Sequence, residues 1–246
     1  MASNFGKTIQ VSTFGASHGY AIGGIVEGLP CGHTIDIDEL QAFLKRRAPG
    51  QNQLQTQRKE ADIPEFLSGM VDGMLSGSPL AFMIRNTSQH SGDYNNLRDI
   101  PRPSHADFTA RMRYGDKVDM RGGGHFSARL TAPLCVAGGI ALQLLREKGI
   151  EIHGHLKQVG TIQDAPIDMV HPDMKALGNI ATEPIAMLDA DKRSEVENLV
   201  MKLKKDGDST GGIVEVVATG LPIGLGNPNF DGIENRLARV IFGVPA

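Results

Sequence analysis

A glycine-rich run at residues 121–129 carries the side chains best suited to chemistry in this chain. It reads Arg-Gly-Gly-Gly-His-Phe-Ser-Ala-Arg. Its three glycines let backbone N–H groups approach a ligand with no Cβ in the way, and Ser127 can cap the helix that the next apolar residues predict. Ligand oxygens would then face a helix N-terminus. The run predicts an anion site, although glycines at this density usually mark a plain turn.

Two histidines upstream lie in turns that could present them to the same ligand. His18 follows Ser17 in the glycine-flanked turn 15–19, at the end of a predicted strand, and His105 lies at the predicted start of a helix. The positive end of that helix would disfavour the charged imidazole. Each histidine alone is more often an ordinary turn residue. Together with the glycine-rich run, they predict acid catalysis on a phosphorylated or carboxylated substrate.

The charge distribution favours an anionic small ligand. The net charge of −3 argues against bulk attraction to nucleic acid or to an anionic membrane. Residues 98–129, however, hold seven arginines and lysines against four aspartates, so this segment is +3 and the rest of the chain is −6. A solvated basic face would give the same count. The glycines and histidines within the segment favour a ligand site instead.

Composition predicts a globular, cytoplasmic protein. With 246 residues, 40% of them hydrophobic, the chain can bury a core as one large domain or two small ones. It has no apolar run of membrane-spanning length and no signal-peptide core. Its two cysteines, Cys31 and Cys135, lack metal-ligand spacing and are interpreted as small buried hydrophobes. Neither a metal site nor a membrane partner is expected.

The apolar pattern alternates strands and helices with short connections. It predicts strands at 8–14, 22–29, 66–75, 80–84, 150–156 and 212–218. Helices are predicted after the Asp36 cap, at 104–115 with Ser104 and Asp107 as its cap, at 127–148 and 191–205, and around 233–241. Segments 86–103 and 164–183 have no periodicity, and His153 and His155 are interpreted as surface polar residues of one strand face. A parallel α/β sheet explains this alternation as well as an α+β fold does.

These segments resemble the chorismate synthase family along the whole chain. The resemblance rests on motifs that keep the family's order and spacing: Gly-Ala-Ser-His-Gly at 15–19, the strand 24–30, Arg46-Arg47 before Pro49-Gly50, Gln-Arg-Lys-Glu at 57–60, residues 102–107, Tyr114-Gly115 and residues 121–129. It implies an α+β sandwich of helices between antiparallel sheets, assembled as a homotetramer. Residues 1–246 would form a single domain of this kind that lacks the family's C-terminal part, with the second half of the sandwich incomplete.

The resemblance also implies an activity, a substrate and a cofactor. The reaction is the anti 1,4-elimination of phosphate from 5-enolpyruvylshikimate 3-phosphate to give chorismate, in aromatic amino acid biosynthesis. It requires reduced FMN without net redox change, and NADPH is a possible reductant of the flavin. By carry-over, His18 protonates the departing phosphate and His105 protonates the reduced flavin. Arg47, Arg129 and Ser17 bind substrate, and the flavin-contacting position is occupied by His125, Phe126 and Ser127.

Departures from the family leave two other functions open. Ala16 stands where many members have an acidic residue, and Gln53 where some have an arginine. Complete members are longer, and their later part holds a flavin-phosphate loop and a motif with an arginine and an aspartate. The chain could therefore be an inactive fragment of the enzyme. From a different class, the arginine- and glycine-rich loop could bind RNA, although only 5% aromatic residues and a negative net charge count against it.

Overall fold

The computed structural model describes residues 3–50, 54, 60–87 and 100–245. The chain divides into two compact units. Unit 1 comprises Met1–Pro49, Gln57–Gln143 and Gly224–Ala246, and unit 2 comprises Gly50–Thr56 and Leu144–Ile223. Gln53, residues 57–59 and most of the predicted loop 86–103 lie outside the described residues. That the chain is one domain of its family stays a prediction.

Unit 1 is built on a five-stranded antiparallel sheet. Its strands are β1 (Asn4–Gly6), β2 (Gln10–Gly15), β3 (Ala21–Glu27), β4 (Glu65–Ser68) and β7 (Leu80–Arg85), in the spatial order β1-β2-β3-β7-β4. Strand β7 alternates buried Leu80, Phe82 and Ile84 with less buried neighbours, which is the period of a strand with one face on the core. A separate two-stranded ribbon pairs β5 (Met70–Val71) with β6 (Met74–Leu75).

Two helices of unit 1 pack closely against each other. Helix α1 (Ile37–Arg47) begins at Asp36, whose Oδ1 accepts the backbone N–H of Glu39 at 2.9 Å, as its sequence predicts. Helix α3 (Thr131–Arg146) meets α1 at Gly139, where a Cβ would press on the side chains of Leu40 and Phe43. Helices α2 (Asp107–Tyr114) and α6 (Ile233–Ile241) complete the unit.

One stretch of the described residues, Arg121–Arg146, would be long and apolar enough to cross a membrane if length and composition alone decided. It is not one regular helix, because the glycine-rich turn and a short 3-10 turn precede α3. The 16 residues of α3 span about 24 Å, which is less than a hydrocarbon core of about 30 Å. Ala132, Val136 and Ile140 are buried along it. These are the features of a core helix.

Unit 2 has a three-stranded antiparallel sheet and two helices. Strand β8 (Glu151–Val159) lies between β10 (Gly212–Thr219) and β9 (Ile162–Gln163). Helix α4 (Met174–Asn179) and helix α5 (Ala190–Asp206) follow, and a small core forms around three buried residues, Ile185, Met187 and Val196. Helix α5 ends at Gly207 in the left-handed conformation, as helix C-termini often do.

The expectation that His155 is a surface residue is wrong. Its side chain is 1% exposed, with Nδ1 2.7 Å from Asp164 Oδ2 and Nε2 3.1 Å from Glu215 Oε2. Asp164 also accepts the backbone N–H groups of Leu188 and Asp189. The histidine therefore joins strand β8 to the segment before α5, a role that strand periodicity cannot reveal because the partners are distant in sequence.

The α+β fold class is confirmed, and the parallel alternative is wrong. Every strand pairing in the described residues is antiparallel. The predicted strand 66–75 is divided, because Gly69, Asp72 and Gly73 all take positive φ and turn the chain. Strand β1 and helix α4 were not predicted, since each is short and carries little periodic signal.

Candidate active site

The glycine-rich run folds back onto the turn that carries Ser17. Its first part, Arg121–Phe126, is a tight turn whose three glycines have φ of 59°, 93° and 55°. Other residue types rarely adopt such positive values. The backbone N–H of Ser17 donates to the Gly124 carbonyl at 3.1 Å, and Ser17 Oγ donates to the Gly122 carbonyl at 2.9 Å. The run and the turn 15–19 are therefore held together by hydrogen bonds from the backbone and the hydroxyl of Ser17 to carbonyls of the run.

Both candidate histidines lie against this glycine run. A Cβ added at Gly122 would collide with the ring of His18, and one at Gly123 would lie 3.1 Å from Nε2 of His105. Side chains at these two positions would displace the rings. The structure thus brings together His18, His105 and the glycines, which are far apart in sequence.

His105 is held by a carboxylate rather than by a helix cap. Asp107 Oδ1 lies 2.6 Å from Nδ1 of His105, while Arg102 Nε donates to Asp107 Oδ2 at 2.7 Å. The hydrogen bond from Arg102 is the main reason that the pKa of Asp107 lies well below its usual range. The predicted cap by Ser104 and Asp107 is wrong: Ser104 has a φ of 58°, and no side chain among the described residues caps α2.

The two candidate substrate arginines share one buried aspartate. Arg47 Nη1 donates to Asp62 Oδ2 at 2.6 Å, and Arg129 Nη1 donates to Asp62 Oδ1. The Asp62 side chain is fully buried and that of Arg129 is 3% exposed. Burial lowers the pKa of Arg129, and the hydrogen bond to Asp62 opposes this change. Nη2 of Arg129 is buried without a hydrogen-bond partner among the described residues, its nearest carboxylate oxygen, on Glu60, being 3.8 Å away.

Asn86 links these arginines to the turn of His18. Its Oδ1 accepts from Arg129 Nε at 3.3 Å, and its Nδ2 donates to the carbonyls of Ala16 and Gly19 at 3.1 and 2.8 Å. An amide side chain suits this position because one end accepts and the other donates. The buried guanidinium and the turn of His18 are therefore held in fixed relation.

Both ring nitrogens of His125 form hydrogen bonds. Nδ1 lies 2.8 Å from the Gly15 carbonyl, which can only accept, so Nδ1 carries the hydrogen. Nε2 is then free to accept from Ser3 Oγ at 2.6 Å. The ring of Phe126 stands edge-on to that of His125, with their centroids 6.4 Å apart.

Ser127 behaves as its sequence predicts. Its Oγ accepts the backbone N–H of Arg129 at 3.2 Å and caps the short turn that leads into α3. Because the hydroxyl accepts this bond, its hydrogen remains able to donate to a ligand.

A cavity of about 580 Å³ adjoins the candidate cofactor residues. His125 and Phe126 line it, together with Tyr114, Arg239 and Ala106, the residue after His105. Five aliphatic residues form much of the remaining wall: Leu130, Leu134, Val240, Val244 and Pro245. A large, mainly apolar cavity with a few polar groups is typical of a cofactor site.

Two arginines of the basic segment lie beside aspartates of the same segment. Arg121 Nη2 lies 2.8 Å from Asp119 Oδ2, and Arg111 Nε lies 3.7 Å from Asp116 Oδ1. The described part of this segment therefore contains local ion pairs. A nucleic-acid site is expected to present a continuous stripe of positive charge instead. Within the described residues, no three histidine, cysteine or acidic side chains are grouped to hold a metal ion.

Sequence reasoning missed three residues of this site. Asp62 and Asn86 gave no pattern of their own, because their partners lie 15 to 70 residues away in the chain. Asp107 carried a signal but was interpreted as a capping residue. The spacing Arg-Pro-Ser-His-Ala-Asp at 102–107 could have shown that a cation, an imidazole and a carboxylate lie within one turn of chain.

Fold and site together define an α+β protein in which two histidines and two aspartate-held arginines are grouped around a glycine-rich loop. The family model described as "Chorismate synthase" matches residues 9–246. The chorismate synthase of Lancefieldella parvula is 43% identical over 257 residues, covering 100% of this chain and 67% of that protein. That of Ralstonia pickettii is 43% identical, covering 99% of this chain and 64% of its own length.

A solved structure agrees with the sequence relatives. A crystal structure of chorismate synthase superposes with a TM-score of 0.74 at 25% identity and covers 98% of this chain and 67% of its own chain. The chain belongs to the chorismate synthase family, whose members are lyases that complete the shikimate pathway. It spans 64–67% of the length of these relatives.

Proposed function

We propose that this site eliminates phosphate from 5-enolpyruvylshikimate 3-phosphate by an anti 1,4-elimination to give chorismate, with reduced FMN. One observation carries the proposal: two histidines lie against neighbouring glycines of one loop, beside a pair of arginines held by a shared aspartate. The substrate has two carboxylates and a phosphate, which match guanidinium groups, and its leaving group needs a proton donor.

Arg47 and Arg129 bind the anionic groups of the substrate. The orphaned Nη2 of Arg129 supports this role, because a buried donor without a partner is costly unless a ligand oxygen completes it. His18 donates a proton to the departing phosphate, which leaves more readily when its charge is reduced. Ser17, whose Oγ lies 3.1 Å from His18 Nδ1, fixes that ring beside the glycine run and contacts the substrate.

The residues around the 580 Å³ cavity fit a reduced flavin. Phe126 and the aliphatic wall suit a flat ring system, and Arg239 offers a cation for the FMN phosphate. Ser127 Oγ can donate to the cofactor, and His105 holds or moves a proton at Nε2. When bound, reduced FMN supplies an electron transiently. NADPH is its proposed reductant, tested by FMN-dependent oxidation of NADPH.

The resemblance also supports a location and an assembly. We place the enzyme in the cytoplasm as a homotetramer. Exposed apolar side chains on α6 and just after it, among them Leu237, Ile241 and Phe242, are consistent with a surface that is covered in the assembled protein. Sedimentation velocity measures the assembly directly.

Phosphate release under anaerobic conditions tests the activity. The purified chain is mixed with 5-enolpyruvylshikimate 3-phosphate and chemically reduced FMN, and inorganic phosphate is measured for wild type, His18→Ala and His171→Ala. His171 is exposed in unit 2 and serves as the matched control. We expect release by wild type and by the control, and a rate lower by about 10²–10⁴ for His18→Ala. A folded wild-type chain that releases no phosphate contradicts the proposal and favours the inactive fragment.

A further inference from the structure

We propose that Asp107, which accepts hydrogen bonds from Arg102, is a positioning residue for His105. It holds the imidazole ring so that Nδ1 carries the proton and Nε2 faces the glycine run. The meaning of this arrangement for catalysis rests on the proposed function. The arrangement itself depends only on three side chains within six residues of chain.

The Asp107 carboxylate is fully engaged. It is buried, and Oδ1 lies 2.6 Å from His105 Nδ1 and 2.9 Å from Arg102 Nη2. Oδ2 accepts from Arg102 Nε at 2.7 Å and from the backbone N–H of Arg102 at 3.0 Å. Two parallel bonds from one guanidinium fix the plane of the carboxylate, and thereby the direction from which Oδ1 meets the imidazole.

The chemistry of the pair determines which ring nitrogen carries the hydrogen. An ionised carboxylate can only accept, and the bonds from Arg102 keep Asp107 ionised by holding its pKa low. Nδ1 of His105 must therefore donate. Arg102 Nη2 also lies 3.4 Å from Nδ1, but both groups are then donors, so the contact with the carboxylate at 2.6 Å decides the geometry.

The opposite nitrogen faces the glycine run. Nε2 of His105 lies 3.1 Å from the point that a Cβ of Gly123 would occupy, so a side chain at that position would crowd this nitrogen. Arg102 also donates to the carbonyl of Met120, the residue before the glycine run, at 3.5 Å. The same arginine thus contacts the aspartate, the imidazole and the base of the loop.

Helix stability does not explain the arrangement. Asp107 is the first residue of α2, and the N-cap residue is Ala106, which has no side-chain acceptor. An aspartate at the N-cap itself would stabilise the helix by accepting a backbone N–H of its first turn. Instead, the carboxylate points back to His105 and Arg102, as expected if orienting the imidazole is its role.

Nitrogen-15 NMR of the imidazole rings tests the proposal without any turnover. The chain is labelled with ¹⁵N-histidine, and long-range ¹H–¹⁵N correlations are recorded where the rings are neutral, with His105→Ala assigning the signals. We expect Nδ1 of His105 to be protonated in wild type. In Asp107→Ala it should shift toward the Nε2–H form that free histidine prefers.

Asp116→Ala is the matched control, because Asp116 follows the other end of α2 and its side chain is 90% exposed. It should leave the His105 signals unchanged. If Asp107→Ala does not fold, Asp107→Asn replaces it, because an amide can offer either oxygen or nitrogen to Nδ1 and should give mixed tautomers. An Nε2–H tautomer in wild type, or unchanged His105 shifts in the folded variant, overturns the proposal.

A kinetic measurement connects the ring to the reaction. In the phosphate-release assay, Asp107→Ala should lower kcat by about tenfold or more while the KM for substrate changes little, since Arg47 and Arg129 are untouched. If Asp107→Ala instead raises KM about tenfold and leaves kcat unchanged, the result contradicts a role of Asp107 at His105. A wild-type chain without turnover refutes the proposed function, and the NMR result still decides the positioning role of Asp107.

Discussion

Replacing Asp62 by asparagine should destabilise the chain far more than a comparable change in a surface ion pair. The Asp62 carboxylate places one oxygen on Arg47 and the other on Arg129. An asparagine has the same shape, but it carries no charge and presents an NH₂ donor where one guanidinium N–H already points. The substitution therefore leaves a buried cation facing a donor.

The expected cost follows from the burial of each partner. The Arg47 side chain is 22% exposed and can turn toward water, whereas that of Arg129 is 3% exposed and cannot. Breaking a buried ion pair by removing one partner costs about 3–5 kcal/mol. Most of this should come from Arg129. Asp62 has a φ of 51°, in the left-handed region. Asparagine tolerates this region as well as aspartate does, so the substitution adds no backbone strain.

Urea unfolding followed by far-ultraviolet circular dichroism measures the effect. With a slope of about 2 kcal/mol per molar urea, the midpoint for Asp62→Asn should fall by about 2 M. The matched control is Glu65→Gln, which breaks a pair between Glu65 and Arg85 whose side chains are 41% and 47% exposed. Water screens that pair, so its midpoint should stay close to wild type.

The comparison has one outcome that refutes the reasoning. If Asp62→Asn and Glu65→Gln lower the midpoint equally, then the buried aspartate does not hold the two arginines, and their placement must have another cause. Equal slopes in the three proteins are required for the comparison, because a changed slope would mean a changed unfolded state or an intermediate.

Three further predictions concern other groups of unit 1. Gly122→Ala should weaken phosphate release and displace the His18 NMR signals, whereas Gly207→Ala, with a similar positive φ but no described atom within 4 Å of its Cβ, should leave both unchanged. The pKa of Asp107 is lowered by folding, so its contribution to stability is complete above its unfolded pKa of about 4 and is lost as the pH falls through its folded pKa. In urea unfolding, the difference between wild type and Asp107→Asn should therefore shrink from pH 7 to pH 3, and a constant difference would contradict the ion pairing. Cys31 is exposed, so the expectation that both cysteines are buried is wrong. Burial raises the pKa of Cys135, so iodoacetamide at pH 8 should alkylate it more slowly than Cys31, as measured by peptide mass spectrometry.

Local patterns predicted the regular elements because the causes were local. The cap of α1 needed only Asp36 and Glu39, and the helix predicted at 191–205 agrees closely with α5 (Ala190–Asp206). The direction of the strands could not be predicted, since antiparallel pairing between β3 and β7 joins residues about 60 positions apart. His155 shows the same limit, because only the fold brings Glu215 to its ring.

The candidate site divides in the same way. Residue types with intrinsic chemistry, such as His18 and His105, were visible as soon as they stood in turns. Their supporting groups were not, because an aspartate or an asparagine has no fixed role until its neighbours are known. The role of Asp62 becomes visible only when Arg47 and Arg129 are seen on either side of it. The role of Asn86 becomes visible only when both ends of its amide are seen to form hydrogen bonds.

The glycine run explains how two histidines serve one reaction under the proposed function. His18 and His105 lie against consecutive glycines, whose Cα atoms are about 3.8 Å apart. Under the proposed function, one ring faces the leaving phosphate and the other faces the flavin, so the loop holds the two ligands next to each other. A side chain at Gly122 would displace the ring of His18, and one at Gly123 would displace the ring of His105. The two histidines therefore depend on the glycines for their separation as well as for their access to ligand, and Gly122→Ala tests that dependence at His18.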